Sequence, residues 1–529
     1  MLNRFCVILA LLLMGVPVAQ AADSNLNLKL RSRAESKPDS GRFNAVTTDA
    51  QWDAKQTAVI VCDMWDLHHC LNATKRGGEL APRMNAVIKE ARSKGAIIIH
   101  APSSCMETYK DHAARKRAQS VVKADTFPAE ISKWCTKIPA EERGQYPIDQ
   151  TDGGEDDDPA EHAAWAKKLA EMGRNPRAPW KSQMDLLTID AERDYISDNG
   201  EEIWSILDRQ ARPNVILLGV HTNMCVLGRP FGLRQMAKNG KHVVLMRDMT
   251  DTMYNPERKP FVSHFTGTDL IVEHIEKWVC PTITSDQLLG GKPFVFQHDK
   301  RPHVFSVILE KEYKTNETVP AFALSQLGKT CKLSFSFGDE QNWNALPGID
   351  ELATADVLLL SARRQVLPPA QMASLRQFIE SGKPVVGIRT ASHAFSLRGM
   401  PVPTGLTAWE SFDADVFGGN YSNHHGAGAI VKVTLAENVA THSILKGVDV
   451  GALQGTGSLY VVSPLAKTAT PLLIGELSGK PLEPIAWVNV NKFGGRSFYT
   501  SFGHIGEFEQ PAFQRLLSNA VHWAAKVGE

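Results

Sequence analysis

The chain has 529 residues, 43% of them hydrophobic and 22% charged, with 58 Lys and Arg matching 58 Asp and Glu. At about 100–200 residues per domain, this length suggests two to four domains, each able to bury a core. The balanced charge offers no basic excess to argue for nucleic acid or an anionic membrane as the main partner; the expectation of a small-molecule substrate comes from the candidate site residues instead.

Arg4 precedes an apolar stretch over residues 5–18, and Ala19-Gln20-Ala21 has the small-x-small form of a cleavage site. Residues 1–21 are therefore expected to be a signal peptide, and the mature protein to be exported, periplasmic or extracellular. Cys6 lies too early for a lipoprotein cleavage box, and no later segment reaches the ~18 apolar residues of a spanning helix. Removal of Cys6 leaves Cys62, Cys70, Cys105, Cys135, Cys225, Cys280 and Cys331. An odd number in an oxidising compartment leaves at least one thiol free or paired between chains.

Residues 22–50 read as a polar leader. Short apolar strands then alternate with helical stretches: 57–62 (TAVIVC), 96–100 (AIIIH), 215–220 (VILLGV) and 242–246 (HVVLM), with a helix over 82–94. Continuous apolar strands in such alternation predict a parallel sheet covered on both faces. Residues 151–162 (TDGGEDDDPAEH) are acidic but lack the ligand spacing of an EF-hand, so a solvated surface loop is expected. Pro and Gly interrupt the pattern near 280–293, and a second series follows at 304–309, 332–337, 356–360 and 384–388. Helices are expected over 367–384 and at the C-terminal end over 511–526. The fold class is α/β, with two doubly wound, parallel-sheet sandwiches in tandem. The expected divisions are 51–287, a linker at 288–300, and 301–529.

The chemistry of the first half begins at strand ends. Asp63 closes the segment VIVCD, where open α/β sheets place their sites, although a helix N-cap is the simpler role for a lone strand-end Asp. Cys225 follows the strand 215–220 at a second strand end, where a helix N-terminus would favour a thiolate. Together they offer a nucleophile and a base.

The segment GVHTNMCV (219–226) resembles the G-[VI]-x-T-x-x-C-V motif of the isochorismatase-like cysteine hydrolases, a family that includes nicotinamidases. AVIVCDMW resembles that family's first strand, which ends in the catalytic Asp, and GKHVVLMRDMTDT (240–252) its following strand. The resemblance spans about residues 50–285. It implies a three-layer fold, an Asp–Lys–Cys triad, a cis peptide at Val220–His221, and backbone N–H groups there aimed at an oxyanion. It also implies a tendency to form homo-oligomers. The family lysine has no match in register. Lys181 has a suitable sequence distance, while a second alignment points to Arg193, whose guanidinium could hold charge but not shuttle a proton. The metal motif of nicotinamidases is not matched, so no metal is expected here. Trp65, His100, Thr222, Asn223 and Arg229 are candidate substrate contacts, with a structural His100 an equal alternative. Arg247 is expected to pair with Asp248 or Asp251.

In the second half, 383–395 (KPVVGIRTASHAF) has the strand–turn–helix form of a nucleophile elbow, but Arg389 and Thr390 occupy its apex. The C-terminal segment containing FYTSFGH resembles the ThuA-like, or trehalose-utilisation, domains over about 301–529. That resemblance implies a flavodoxin-type sandwich of the class I glutamine-amidotransferase kind, associated with carbohydrate and often without that class's triad. Arg389, His393, His424, His425, His504 and Glu507 form the candidate second pocket, for a carbohydrate-related ligand or a divalent metal. No other cofactor is expected. Two readings follow: a hydrolase cleaving a C–N amide or related bond through Cys225, or a two-pocket binding protein whose hydrolase half has lost its activity.

Overall fold

The computed structural model describes residues 24–426 and 428–527; the expected signal peptide lies outside them. Among the described residues, no helix is long and apolar enough to cross a membrane.

The first half is built on an eight-stranded sheet in the order β2-β1-β8-β7-β6-β3-β4-β5. Its strands are β1 (Asn25–Glu35), β2 (Phe43–Asp53), β3 (Thr57–Cys62), β4 (Ile97–Ala101), β5 (Tyr195–Ile196), β6 (Asn214–Val220), β7 (His242–Asp251) and β8 (Thr282–Ile283). From β8 to β5 the pairings are parallel. The six residues of β3 are all buried because alternate side chains enter two separate cores. Ala58, Ile60 and Cys62 join one core, with Ile203, Ile206, Ile271 and Ile275. Val59 and Val61 join the other, with Leu80, Met84, Val87 and Ile88. Helices therefore cover both faces: α1 (Leu71–Ser93) on one, and on the other α4 (Gly200–Arg209) and α6 (His264–Trp278). The remaining helices of this half are α2 (Ala113–Ser120), α3 (Pro159–Glu171), α5 (Leu233–Lys238) and α7 (Asp286–Leu289).

Two expectations change here. The polar leader is a β-hairpin, paired antiparallel over the full length of β1 and β2 and joined antiparallel to β8, so the sheet is mixed at this edge. The hairpin also joins the two halves. Arg31 reaches Glu276 at 2.8 Å and Glu351 at 2.9 Å, and Asn44 exchanges two hydrogen bonds with the backbone of Phe337. The first helix also begins earlier than residue 82. Its buried face, Ala73, Gly77, Leu80, Ala81, Met84, Val87 and Ile88, keeps helical spacing straight through Pro82. That packing outweighs the one backbone bond the proline cannot donate.

The second half carries a nine-stranded sheet in the order β10-β9-β11-β12-β19-β18-β17-β14-β15. The parallel part comprises β9 (His303–Leu309), β10 (Lys332–Phe337), β11 (Val357–Ala362), β12 (Val385–Ile388) and β19 (Arg496–Thr500). The antiparallel part comprises β14 (Val431–Leu435), β15 (Gln454–Gly455), β17 (Ala469–Glu476) and β18 (Glu483–Val490), with β18 also antiparallel to β19. A separate ribbon pairs β13 (Asn423–His424) with β16 (Tyr460–Val461). Here too the residues of β9 alternate between two cores. Val304 and Ile308 meet α8 (Thr315–Phe322) and α10 (Pro511–Ala524), while Phe305, Val307 and Leu309 meet α9 (Pro369–Glu380). Both sheets are mixed rather than parallel throughout.

Candidate active site

The carboxyl ends of β3, β4 and β6 meet at Asp63. This residue is fully buried and takes a left-handed backbone, φ 46°. Its Oδ1 accepts from the Ser103 backbone N–H at 2.7 Å, and its Oδ2 from the Arg229 Nε–H at 3.1 Å. The Cys225 thiol neighbours both Asp63 and Arg229, whose charges act on its ionisation in opposite directions. Neighbouring strands bring these groups together: β3 and β6 run side by side in register from Thr57 and Asn214 to Cys62 and Gly219. Gly219 makes that approach possible. Its φ is 112°, and a Cβ there would lie 2.0 Å from the Cys62 carbonyl oxygen. The peptide Val220–His221 is cis, as the family resemblance implies, and both residues are buried.

Electrostatics set the protonation states. Burial, more than any neighbour, pushes the Cys225 thiol up, with the Asp63 charge adding to it and Arg229 opposing. Burial also raises Asp63, while Arg229 and the Ser103 N–H pull the other way. The resting thiol is therefore neutral, beside a carboxylate that is more basic than usual.

The cation is not where it was expected. Lys181 is exposed, and its backbone N–H caps Asp66 at 3.0 Å. Arg193 is exposed and paired with Asp190 at 2.6 Å. Arg229, anticipated only as a substrate contact, is the cation that acts on Asp63 and Cys225. It lies four residues past Cys225, and its guanidinium also sits 5.4 Å from the Trp134 ring centre. Gly228 makes room, since a Cβ there would meet Trp134 at 2.4 Å.

Trp65 donates from its indole to the Ser103 carbonyl at 3.0 Å and stacks on Trp180 at 4.5 Å. His68 stacks on Trp65 at 5.9 Å and meets His221 edge-on at 4.7 Å. Burial lowers both imidazoles, His221 to about 4, so this aromatic wall is uncharged at neutral pH. Nothing local in the sequence marks Trp180 as a site residue, because its partner Trp65 lies far away in the chain. Three expected contacts are instead engaged within the protein. His100 is held between Gln183 at 2.9 Å and Asp194 at 3.1 Å. Thr222 bonds Thr250 at 2.7 Å, and Asn223 clamps the Met253 backbone in both directions at 2.9 Å. Their hydrogen-bonding capacity is largely spent on holding the loops in place. Arg247 bonds Thr282 at 3.0 Å rather than either aspartate. Asp248 instead binds Ser285, and Asp251 pairs with Arg76 and His264.

The two ends of the acidic segment are exposed, as expected of a surface loop, but its middle, residues 154–157, turns inward. Asp157 accepts from the Leu71 and Asn72 N–H groups at 2.7 and 2.8 Å, capping α1, and Asp156 is gripped by Arg76 at 2.7 and 3.1 Å. Cys70, Asp156 and Asp157 are the one set of three candidate metal donors found among the described residues. Both carboxylates already have these partners, and a cation at that point would have to displace Arg76. Asp157→Ala is expected to lower stability by about 1–2 kcal/mol through loss of the cap, measured as a drop in denaturation midpoint. An unchanged midpoint would rule the cap out.

In the second half, Arg389 follows β12 with φ 49° and is buried. The two Glu507 carboxylate oxygens accept from four backbone N–H groups, those of Thr456, Gly457, Gly503 and His504, at 2.7–3.2 Å. Glu507 thus holds loops and has little capacity left for a ligand. His504 bonds Thr456 Oγ1 at 3.2 Å beside Tyr313. His393 stacks on Tyr421 at 4.3 Å, whereas His424 is exposed and its Nδ1 faces the His425 carbonyl at 3.3 Å. No set of three candidate metal donors forms among the described residues of this half. The seven described cysteines are all free and buried.

Residues 304–524 match the ThuA family, described as trehalose utilisation, and constitute a ThuA-like domain. No curated protein matches the chain. Among solved structures, a ThuA-like protein from Bacteroides uniformis ATCC 8492 is 17% identical, with a TM-score of 0.33, over 44% of this chain and 95% of its own. Another, from Parabacteroides merdae ATCC 43184, is 16% identical, with a TM-score of 0.32, over 43% and 90%. A cysteine hydrolase from Pseudomonas syringae pv. phaseolicola 1448A is 14% identical, with a TM-score of 0.27, over 45% and 92%.

Proposed function

We propose that the first half is a cysteine hydrolase, cleaving a C–N amide or related bond of a small molecule. The ThuA-like half binds or positions a carbohydrate-related ligand, and the protein works after export. The observation that carries the reading is the buried cluster in which Arg229 donates to the Asp63 carboxylate at 3.1 Å while both groups act on the ionisation of the neighbouring Cys225 thiol. A hydrolase half without activity would be favoured by the lack of a cation at Asp63, and Arg229 supplies that charge.

The chemistry then runs in two halves. Asp63 takes the proton from Cys225 as Sγ forms a bond to the carbonyl carbon. Collapse of the tetrahedral adduct breaks the C–N bond, and the proton on Asp63 passes to the departing amine. Water, deprotonated by Asp63, then attacks the thioester, releasing the acid and returning the proton to the thiol. Backbone N–H groups of the turn after Val220 are the oxyanion donors in this reading. Arg229 keeps Asp63 oriented and takes no proton, since a guanidinium does not titrate in this range. The Trp65–Trp180 wall confines the substrate.

The base is tested by alkylation. Cys225 should react with iodoacetamide at neutral pH, and Asp63→Asn should slow that reaction by at least about tenfold. The rate should also fall on acidification through a value above the ordinary carboxylate range, because burial raises Asp63. Equal labelling of wild type and Asp63→Asn, read at Cys225 by peptide mapping, would remove Asp63 from the mechanism.

A further inference from the structure

A second concentration of polar groups lies at the carboxyl ends of β11 and β12, far along the chain from Cys225. Arg364 follows β11 and Arg389 follows β12, both with left-handed φ, 50° and 49°. The Arg364 N–H donates to the His393 carbonyl at 3.0 Å, tying the two strand ends together. The Arg389 guanidinium lies between the rings of Tyr313 and Tyr460, 4.7 Å from each centre. Its Nη1 donates to the carbonyls of Ser458 and Ser501. Arg398 sits 5.3 Å from the Tyr421 ring centre.

These charges lack counter-charges. Among the described residues, Arg363 pairs with Glu312 at 2.8 Å, but Arg364, Arg389 and Arg398 have no carboxylate partner within salt-bridge distance. Glu507 is nearby but spends both oxygens on backbone N–H groups. Asp413, whose Oδ2 accepts from the Tyr421 N–H at 2.8 Å, is pushed up to about 7 by burial and carries only part of a charge at neutral pH. Arg364 Nε, Arg389 Nε and Thr390 Oγ1 are buried with no hydrogen-bond partner at all. Buried polar groups are seldom left unbonded, and buried cations are seldom left unpaired. Three orphaned donors on adjoining strand ends, under an excess of guanidinium groups, describe a receptor for an anion. Open α/β sheets bind ligands at this end of their strands.

Neutral hydrogen-bonding groups surround the cations. His393 is held well below its ordinary range, at about 3, by burial and by Arg364, Arg363, Arg398 and Arg389, so its ring is uncharged. Tyr313 and Tyr421 are half-buried at the rim. Such groups suit hydroxyls better than an apolar ligand.

Resting on the reading that the ThuA-like half binds a carbohydrate-related ligand, we propose that this cluster binds a small polyhydroxylated anion, a sugar carrying a carboxylate or a phosphate. Arg364 and Arg398 take the charge, and Tyr313, Tyr421 and His393 take the hydroxyls. Calorimetric titration of the full chain with D-glucuronate, D-glucose 6-phosphate, D-glucose and inorganic phosphate tests it. At least one of the two charged sugars should bind about tenfold or more tightly than both glucose and phosphate, and which one does identifies the anion. Arg364→Gln should weaken that binding by about tenfold or more, and the exposed Arg398→Gln should weaken it without any change in thermal midpoint. Retained affinity in both variants would overturn the proposal. So would glucose or bare phosphate matching the charged sugars, or no binding by either charged sugar.

Discussion

Cys225→Ala should abolish amide turnover, lowering kcat by at least about 10³-fold, with the fold intact. The side chain is 8% exposed in a packed core, and its replacement by alanine removes a single atom, so the cost to stability is about 1 kcal/mol. Cys225→Ser, which keeps the shape but offers a far weaker nucleophile, should be nearly as inactive. The measurement is turnover of a panel of amides, isochorismate-like ethers and sugar amides by wild type and both variants. A substrate hydrolysed equally by wild type and Cys225→Ala would place its chemistry elsewhere in the molecule.

Arg229→Gln should affect stability and catalysis together. It leaves the fully buried Asp63 without its cation, and breaking a buried pair from one side costs about 3–5 kcal/mol. The Arg229 side chain is 24% exposed, so about 2–4 kcal/mol is expected, or roughly 5–15 °C in the midpoint of the first half. The surviving activity should shift with pH in a definite direction. Arg229 lowers the Asp63 pKa, so its removal raises the pH at which the base becomes protonated, and the acid limb of kcat/KM moves upward. Arg229→Lys should restore part of both effects, because the charge returns without the Nε–H that reaches Asp63. If Arg229 served only to hold substrate, Arg229→Gln would raise KM and leave kcat and the acid limb where they were. That outcome would return the question of the missing cation to the rest of the chain.

Elements buried on both sides were legible because full burial imposes a continuous apolar run, as in TAVIVC and VILLGV. The end of such a run also located Asp63 and Cys225. The hairpin over residues 25–53 was missed although its signal was present: Leu26, Leu28 and Leu30 alternate with polar residues, the period of a strand with one covered face. Overall polarity hid that period. The acidic loop was legible only in part, its ends being exposed and its middle not, for a related reason. Its composition matches a solvated segment, and nothing local announces that Asp157 will meet the free N–H groups of a helix 86 residues earlier.

The sequence by itself determined the α/β class, the position of the central strands, and the pairing of a strand-end thiol with a strand-end carboxylate. Each follows from local pattern, and a parallel register carries both strand ends to the same rim. Only the tertiary structure decided which cation joins them. Arg229 meets Asp63 from 166 positions away, through side-chain reach and the space left by Gly228. Both lysine-like candidates at plausible sequence distances face water. Likewise, tertiary packing alone decided that His100, Thr222 and Asn223 spend their hydrogen bonds inside the protein, and that Arg364 and Arg389 do not find a carboxylate. Hydrogen-bond satisfaction depends on which groups meet in space, and that is set by the whole fold.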